Sequence, residues 1–435
     1  MKRQYLDFCE VIFAALGVLF FTRAIENLLG EGSIVIGLIR WFITLGSISL
    51  IFLRLNIATY KVKRNPWLSM VIGLTLISFL WSDFLDYSFA VIRSEFLPMT
   101  AFGLYLGTSF DIKQQVKVLS IGLGVGLIIS WATAIAVPSI GRDNEIFIGA
   151  WTGVYGHKNS ASTLMILTAA TLLLMSTKKI KTKLLVNSRS SIAVRMLASL
   201  AAIFIFLTTS ATGLVLLISI PFSLFLYTEF KWKGKASILF LSLFALIFSL
   251  LLGILLDNWQ DIVVGIGRDP TLTGRVPMWN VAIDKIADRP FLGYGKGGFW
   301  APESPYPLQV GRAVGLRFIP PHIHNGFIDT ALDIGLIGLI CLFASLLIVI
   351  WRSLKQAYFR STSEDLFPLC FLIVFIINNI TESYILYQYH LLWPLYVAIA
   401  MNVGYSGVNN NASFTNITNR RRMSETLSRK ALSDS

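Results

Sequence analysis

Residues 320–351 read PPHIHNGFIDTALDIGLIGLICLFASLLIVIW. From Phe327 to Trp351 the run is long and oily enough to cross a bilayer, which takes roughly 20 apolar residues. Just before it, Pro320 and Pro321 hold the chain extended, and Asn325 suits the cap of the helix that follows. Two of the four histidines, His322 and His324, fall in this short junction. The run therefore reads as a spanning helix with a polar, chemically equipped mouth.

Working outward, the chain of 435 residues is 55% hydrophobic and only 14% charged, against about 25% charged in a soluble domain. Its apolar runs are continuous, which favours helices over the alternating pattern of a membrane barrel. The fold class expected is an all-α integral membrane protein of about 12 transmembrane helices. The spans lie near 8–28, 33–53, 66–82, 88–107, 116–137, 159–176, 192–209, 212–228, 236–256, 327–351, 366–381 and 386–405. Residues 1–256 then hold helices 1–9, 257–326 form a large extracytoplasmic loop, and 327–405 hold helices 10–12. Residues 406–435, rich in Asn, Ser, Thr and Arg, are expected to be a disordered cytoplasmic tail. The first apolar run has no small-residue cleavage site after it and reads as an uncleaved span.

The formal net charge is +13. Of the 37 Lys and Arg residues, 25 fall in one set of alternate loops and 10 in the other. By the positive-inside bias the first set faces the cytoplasm, so both termini are inside and the long loop is outside. Basic residues so placed meet anionic headgroups, and no nucleic-acid partner is expected. Cys9, Cys341 and Cys370 sit in apolar runs without metal or redox spacing.

The long loop carries most of the candidate chemistry. Thr273 and Pro277 predict a helix start, and Val276, Trp279, Ile283, Ile286 and Ala287 recur at helical spacing until Pro290. Arg275 at the positive end of this helix suits a phosphate, or alternatively snorkels to headgroups. Lys296 lies among Gly293, Gly295, Gly297 and Gly298, which form a phosphate-cradling loop or simply a tight turn. His324 can accept a proton near neutral pH; its rivals are a structural histidine and a metal pair with His322. A second polar island, His157, Lys158 and Asn159, falls on the same face, as a substrate contact or a span-end anchor. Arg93 lies within a span, where Glu95 could pair with it, and Glu382 lies in a short outer turn; intramembrane charge marks function or pairing. His390 reads as packing.

These residues resemble the bacterial O-antigen ligase and polymerase family. His324-Asn325, nine residues, Gly335, two residues and Gly338 follow its H-N-x9-G-x-x-G signature, and Gly274-Arg275…Trp279 and Gly293-Tyr294-Gly295 supply the upstream pieces. Gly156-His157-Lys158-Asn159 and Asn379-Ile380-Thr381-Glu382 look most like the exopolysaccharide polymerase branch. The resemblance covers about 149–382. It implies a GT-C-type glycosyltransferase of the bacterial inner membrane, with its active site on the extracytoplasmic face and no metal or other cofactor. The donor implied is an oligosaccharide on undecaprenyl pyrophosphate, with a flippase and a chain-length regulator as further partners. Carried across, His324 is the base or acceptor-orienting residue and Arg275 binds the pyrophosphate. His322, Asn325, Lys158, His157, Asn159, Arg93, Glu382 and Lys296 are the substrate-binding candidates. Many ligases have a second Arg where this chain has Ala211, which favours polymerase over ligase; a lipid-oligosaccharide transporter is the rival from another class.

Overall fold

The structure, a computed structural model, describes residues 2–30, 32–144, 147–180, 183–186, 192–229, 275–315, 319–360, 362–387 and 390–404. The expected ninth span, the Thr273 cap and the tail lie outside them.

The described chain is overwhelmingly helical. Helices α1 (Lys2–Phe21), α2 (Ala24–Leu29), α3 (Ile34–Phe52), α4 (Leu55–Lys63) and α5 (Pro66–Ile77) come first. Then follow α6 (Leu85–Val91), a π-helical turn at Ile92–Phe96, α7 (Leu97–Ser109), α8 (Ile112–Ala136) and the short α9 (Pro138–Gly141). After them run α10 (Lys158–Ser176), α11 (Ile192–Leu207) and α12 (Ala211–Glu229). The described part of the long loop holds α13 (Arg275–Asp288) and α14 (Tyr306–Ala313). Helices α15 (Gly326–Phe359), α16 (Phe367–Thr381) and α17 (Leu392–Asn402) complete the bundle. One departure from the all-helical expectation is a two-stranded antiparallel ribbon, β1 (Thr177–Ile180) and β2 (Lys183–Val186), in register Thr177 to Val186.

Local chemistry starts these helices. Asp111 and Gln114 form a reciprocal capping box on α8, with bonds of 2.8 and 2.9 Å. Asn325 caps α15 by accepting from the N–H groups of Phe327 and Ile328, each at 3.1 Å. Five segments are long and apolar enough to cross a membrane: α3, α8, α10, α15 and the turn-plus-helix Ser363–Thr381. Their outward faces carry large apolar side chains, among them Leu38, Phe42, Ile128, Ile340 and Leu347. Such faces belong against lipid tails, and the protein is an integral membrane protein.

Polar contacts gather into two groups drawn from alternate connections. In one, Lys61 donates to Gly107 O and Asn402 Oδ1, Arg352 donates to Asn65 Oδ1 and Arg64 O, and Ser363 donates to Leu174 O and Thr177 O. In the other, Asn27 reaches Val154 O, Arg289 pairs with Asp83, and Asn159, Ser210, Arg275 and His324 converge near Glu382. These are the two sets of loops that the charge count separates.

Two details differ from the sequence reading. On α13 the inward residues are Met278 and Ala282, while Ile283 is 54% exposed and Ala287 is exposed. The helix packs on α14 and α15, with Trp279 and Ile286 of the expected stripe against the same inward face, so its apolar side is partly rotated from that stripe. Met278, Ala282, Tyr294, Phe299, Val310, Ile323 and Leu332 form a small core of their own.

The second difference is inside α15. The apolar pattern reads as one uninterrupted helix, yet Ile334 and Gly335 leave helical geometry, with Gly335 at φ +68. The polar groups freed by the break are taken by the loop. Tyr294 N–H donates to Leu332 O at 2.7 Å, and Leu336 N–H donates to Pro290 O at 2.7 Å. A Cβ on Gly335 would collide with the Phe291 carbonyl, and one on Gly293 with Leu332 O. Both residues also need positive φ, so glycine alone lets these backbones touch. Irregular backbone among spanning helices is tolerated where protein covers it, as here.

Candidate functional site

Glu382, just past the end of α16, is the hub of the site. Its Oε1 accepts from Asn159 Nδ2 at 2.7 Å and from the Arg275 guanidinium at 2.9 Å. Its Oε2 lies 3.1 Å from His324 Nδ1. Asn159 Oδ1 in turn accepts from Ser210 Oγ at 2.9 Å. Three distant stretches of chain thus meet on one buried carboxylate, with Ser210 behind Asn159 as a fourth.

The scaffold explains why. Asn379 Oδ1 accepts from Tyr384 and Ile385 N–H, folding the chain back after Glu382. Gly326 N–H donates to Glu382 O at 3.0 Å, tying the start of α15 to this turn. Asn325 donates from its side chain to Ile380 O and from its backbone to Ser383 Oγ. Asp329, one turn into α15, accepts from Ser383 Oγ, from Trp300 Nε1 and from Ile323 N–H. Trp279, four residues after Arg275, donates from Nε1 to Ile323 O at 3.0 Å. The helix carrying Arg275 is thereby pinned to the segment carrying His324. His324 itself sits at φ +55, a left-handed conformation unfavourable for a non-glycine residue. Strain of this kind persists only where the surroundings hold it, and it gathers at functional sites.

The hydrogen bonds assign the imidazole protons. His322 Nδ1 accepts the His324 N–H at 3.1 Å, and His157 Nδ1 accepts the Asn159 N–H at 3.3 Å. Each of these neutral rings therefore presents Nε2–H as a donor. His324 Nδ1 faces a carboxylate, so it keeps its proton there and turns an Nε2 lone pair outward. Burial pushes His322 down to about 3, with the neighbouring His324 adding to it. Burial likewise lowers His157. Burial alone would raise Glu382, but the His324 hydrogen bond and charge, then Arg275, outweigh it and hold the carboxyl down to about 2.

His322, His324 and Glu382 offer ligand atoms within 4.8 Å of one another, a spacing one metal ion could span. The hydrogen bonds fit a proton relay better. His322 Nδ1 is taken by a backbone N–H, and a cation on Glu382 would share that carboxylate with Arg275.

Other sequence candidates take different places. His157 caps α10. Lys158 sits beside it with Nζ 3.3 Å over the Phe147 ring. Asn325 is occupied at both ends of its amide by capping and by Ile380 O. Lys296 is buried, its ammonium 2.8 Å from Asp333 Oδ2, while Gly297 N–H donates to the other oxygen. Asp333 outweighs burial and raises Lys296 above its ordinary value. The glycine loop is thus a turn locked onto α15, and its lysine points into the scaffold instead of at a ligand. Arg93 is exposed on the π-helical turn and takes no part in the Glu382 cluster; the cations acting on Glu95 are Lys296, Arg40 and Arg23, not Arg93. His390 stacks on Tyr384 with centroids 3.9 Å apart.

Asp329, Asp333, Ser210 and Ser383 were not singled out by sequence. The signal for the first two was present: two carboxylates four apart on one helical face, inside an apolar run.

The family described as O-antigen ligase matches residues 196–343, which contain Ser210, Arg275, His324, Gly335 and Gly338. This is narrower than the 149–382 expected, and it stops short of Glu382. The exopolysaccharide production protein ExoQ of Rhizobium meliloti (strain 1021) is 33% identical over 115 residues, covering 25% of this chain and 24% of that protein. The chain thus matches about a quarter of that relative's length. These matches and the quoted signature point to the same family: residues 196–343 are similar to the O-antigen ligase family and a quarter of the chain to an exopolysaccharide production protein.

Proposed function

We propose that this protein is a membrane glycosyltransferase that joins lipid-pyrophosphate-linked oligosaccharide units into a longer polysaccharide. The observation that carries this reading is the convergence of Arg275, His324 and Glu382 from three separate stretches of chain. An acceptor sugar hydroxyl attacks the anomeric carbon of the donor glycan, and its proton passes to His324 Nε2. The anomeric C–O bond to the diphosphate breaks, and the electron pair leaves on the diphosphate oxygen. Arg275 meets the charge that grows there, so its contact strengthens toward the transition state. Glu382 keeps the His324 ring oriented and stabilises the imidazolium that forms, as a carboxylate does for a hydrolase histidine. Lys158 offers a second cation for the diphosphate, and the Nε2–H groups of His322 and His157 are donors for sugar or phosphate oxygens. The positive-inside bias supports termini in the cytoplasm of a bacterial inner membrane and a site on the outer face. An undecaprenyl carrier, a flippase to deliver it and a chain-length regulator fit such a polymerase.

The O-antigen ligase description of the matching family favours a second reading, in which finished glycan moves to a lipid A core or a protein. The ExoQ match and the alanine at 211 favour polymerisation. Reconstitution with a lipid-linked repeat unit decides between them. A polymerase yields a ladder of products that keep the lipid diphosphate; a ligase yields glycan on another acceptor. No new glycosidic bond from the folded protein with either acceptor type sinks both.

A further inference from the structure

The Arg275–Glu382 pair raises a problem if the function above holds, on which this inference rests. Arg275 meets the donor diphosphate, yet its guanidinium is 2.9 Å from Glu382 Oε1. A carboxylate that close repels an incoming diphosphate. The same carboxylate, through its other oxygen, holds His324 Nδ1. One anion is therefore shared between the donor-binding cation and the base. Arg275 is also the more exposed partner, at 22% against 6% for Glu382. It can swing outward, while Glu382 stays fixed by Asn159 and by the backbone bond from Gly326.

We propose that Glu382 is a positioning residue that couples donor occupancy to the base: diphosphate draws Arg275 away, and the released carboxylate then serves His324 alone. Without donor, Arg275 offsets the negative charge that His324 feels, and the base is weak. With donor, the guanidinium is neutralised by phosphate, the Nδ1–H···Oε2 bond tightens, and Nε2 becomes a stronger proton acceptor. The proton follows only after donor has bound, so idle base chemistry at an empty site is suppressed. The other titratable groups around His324 are His322 beside it, His157 and Lys158 at the start of α10, and Tyr387 against His322. Asp143 acts on His157, and Asp329 acts on Tyr387 and accepts from Ile323 N–H, but the carboxylate bonded to the His324 ring is Glu382.

The test uses the full-length protein in detergent and farnesyl diphosphate as a sugar-free probe. Removing the competing carboxylate with Glu382→Gln frees Arg275, so the probe binds about fivefold tighter or more, the lower end of ordinary site coupling. Turnover of a lipid-linked repeat falls in the same variant. A merely structural role would weaken both together, and that result overturns the proposal. The second readout is NMR of 15N-histidine protein, tractable with four histidines. Adding the probe moves the His324 Nδ1–H resonance downfield in wild type. Arg275→Gln shows the moved resonance without probe, which keeps the test alive if Glu382→Gln does not fold. An unmoved resonance in both cases overturns the coupling. Farnesyl diphosphate binding that does not depend on Arg275 overturns the functional reading itself, and the coupling with it.

Discussion

Two ion pairs join the long loop to the helices behind it, and they are built for opposite ends. Lys296 and Asp333 are sealed, with side chains 4% and 6% exposed. Asp333 has both oxygens filled, by the ammonium and by Gly297 N–H. Arg275 and Glu382 are open on one side, with Arg275 at 22% and His324 at 26% exposed around a carboxylate at 6%. A sealed pair exchanges partners with nothing and can only fix geometry. An open pair keeps one partner able to leave for a ligand. Sequence shows a basic residue in each place; only the surroundings separate scaffold from machinery.

The comparison is broken most sharply by activity. His324→Ala should lower polymer yield by about 10²–10⁴-fold, the usual span for a lost general base. Arg275→Ala should cost about 10²–10³-fold, as for a lost donor to a developing oxyanion. Both should leave the detergent-solubilised protein monodisperse, with a fall in thermal midpoint smaller than that of Lys296→Met because Asn159 and the remaining partner still hold the Glu382 carboxylate. Ladder length on gels and the midpoint are the paired readouts. Unchanged yield in both variants would remove the site assignment.

Stability breaks it the other way. Lys296→Met leaves Asp333 charged and buried with one partner, a change that costs about 3–5 kcal/mol in buried pairs. Replacing both partners, Lys296→Met with Asp333→Leu, should recover much of that, because an apolar pair strands no charge. Thermal unfolding in detergent measures each. If the single variant is as stable as wild type, the pair is not scaffold.

How much of this was legible beforehand follows the range over which each signal acts. The helices were legible because apolar continuity is local: each expected span among the described residues overlaps a helix, though 8–28 is broken after Phe21 and 386–405 is helical only over Leu392–Asn402. Arg275 and His324 stand out as candidates because residue type and a helix-end position are local as well. Glu382 was visible only as a polar residue in a turn. Its partners lie 107 and 58 residues away, a distance no pattern reports. The break in α15 was hidden for another reason: Ile334-Gly335-Leu336 is as apolar as an intact helix, and the groups that satisfy it come from Pro290 and Tyr294. For Lys296 the sequence leaves substrate contact and tight turn side by side, since its acid, Asp333, sits in a run that reads as membrane.

The glycine contact between loop and helix gives an intermediate effect. Gly335→Ala places a Cβ against the Phe291 carbonyl in a backbone conformation alanine resists. A residue held so costs about 1–3 kcal/mol. The loop that carries Arg275 would shift with it, so yield should fall along with the midpoint. A stable, fully active Gly335→Ala protein would show that the loop docks by other contacts.

The pairs should also fail at opposite ends of the pH scale. Glu382 lies below its ordinary 4.5, so the stability it contributes is present above that value and is lost as pH falls toward about 2. His322 adds an earlier acid loss, beginning below 6.5, because the unfolded chain binds its proton first. Lys296 lies above its ordinary 10.5, so its contribution is present below that and is lost only as pH rises further. Thermal midpoints of wild type and Glu382→Gln should converge in acid and separate near neutrality. Curves separated equally at every pH would place the Glu382 effect in packing, not charge.

The smallest effect is the sharpest control. Arg93 is a cation within an expected span, as Arg275 is a cation beside one, and sequence ranks both as candidates. Arg93, however, projects from the π-helical turn without joining Glu382 or His324. Position near the bilayer would make any guanidinium matter; position on the shared carboxylate would make only one matter. Arg93→Gln should therefore leave ladder length and thermal midpoint at wild-type values, while Arg275→Gln removes the ladder. A comparable loss from both would mean that general positive charge at the membrane surface recruits the donor, and the open ion pair would lose its special place in the chemistry.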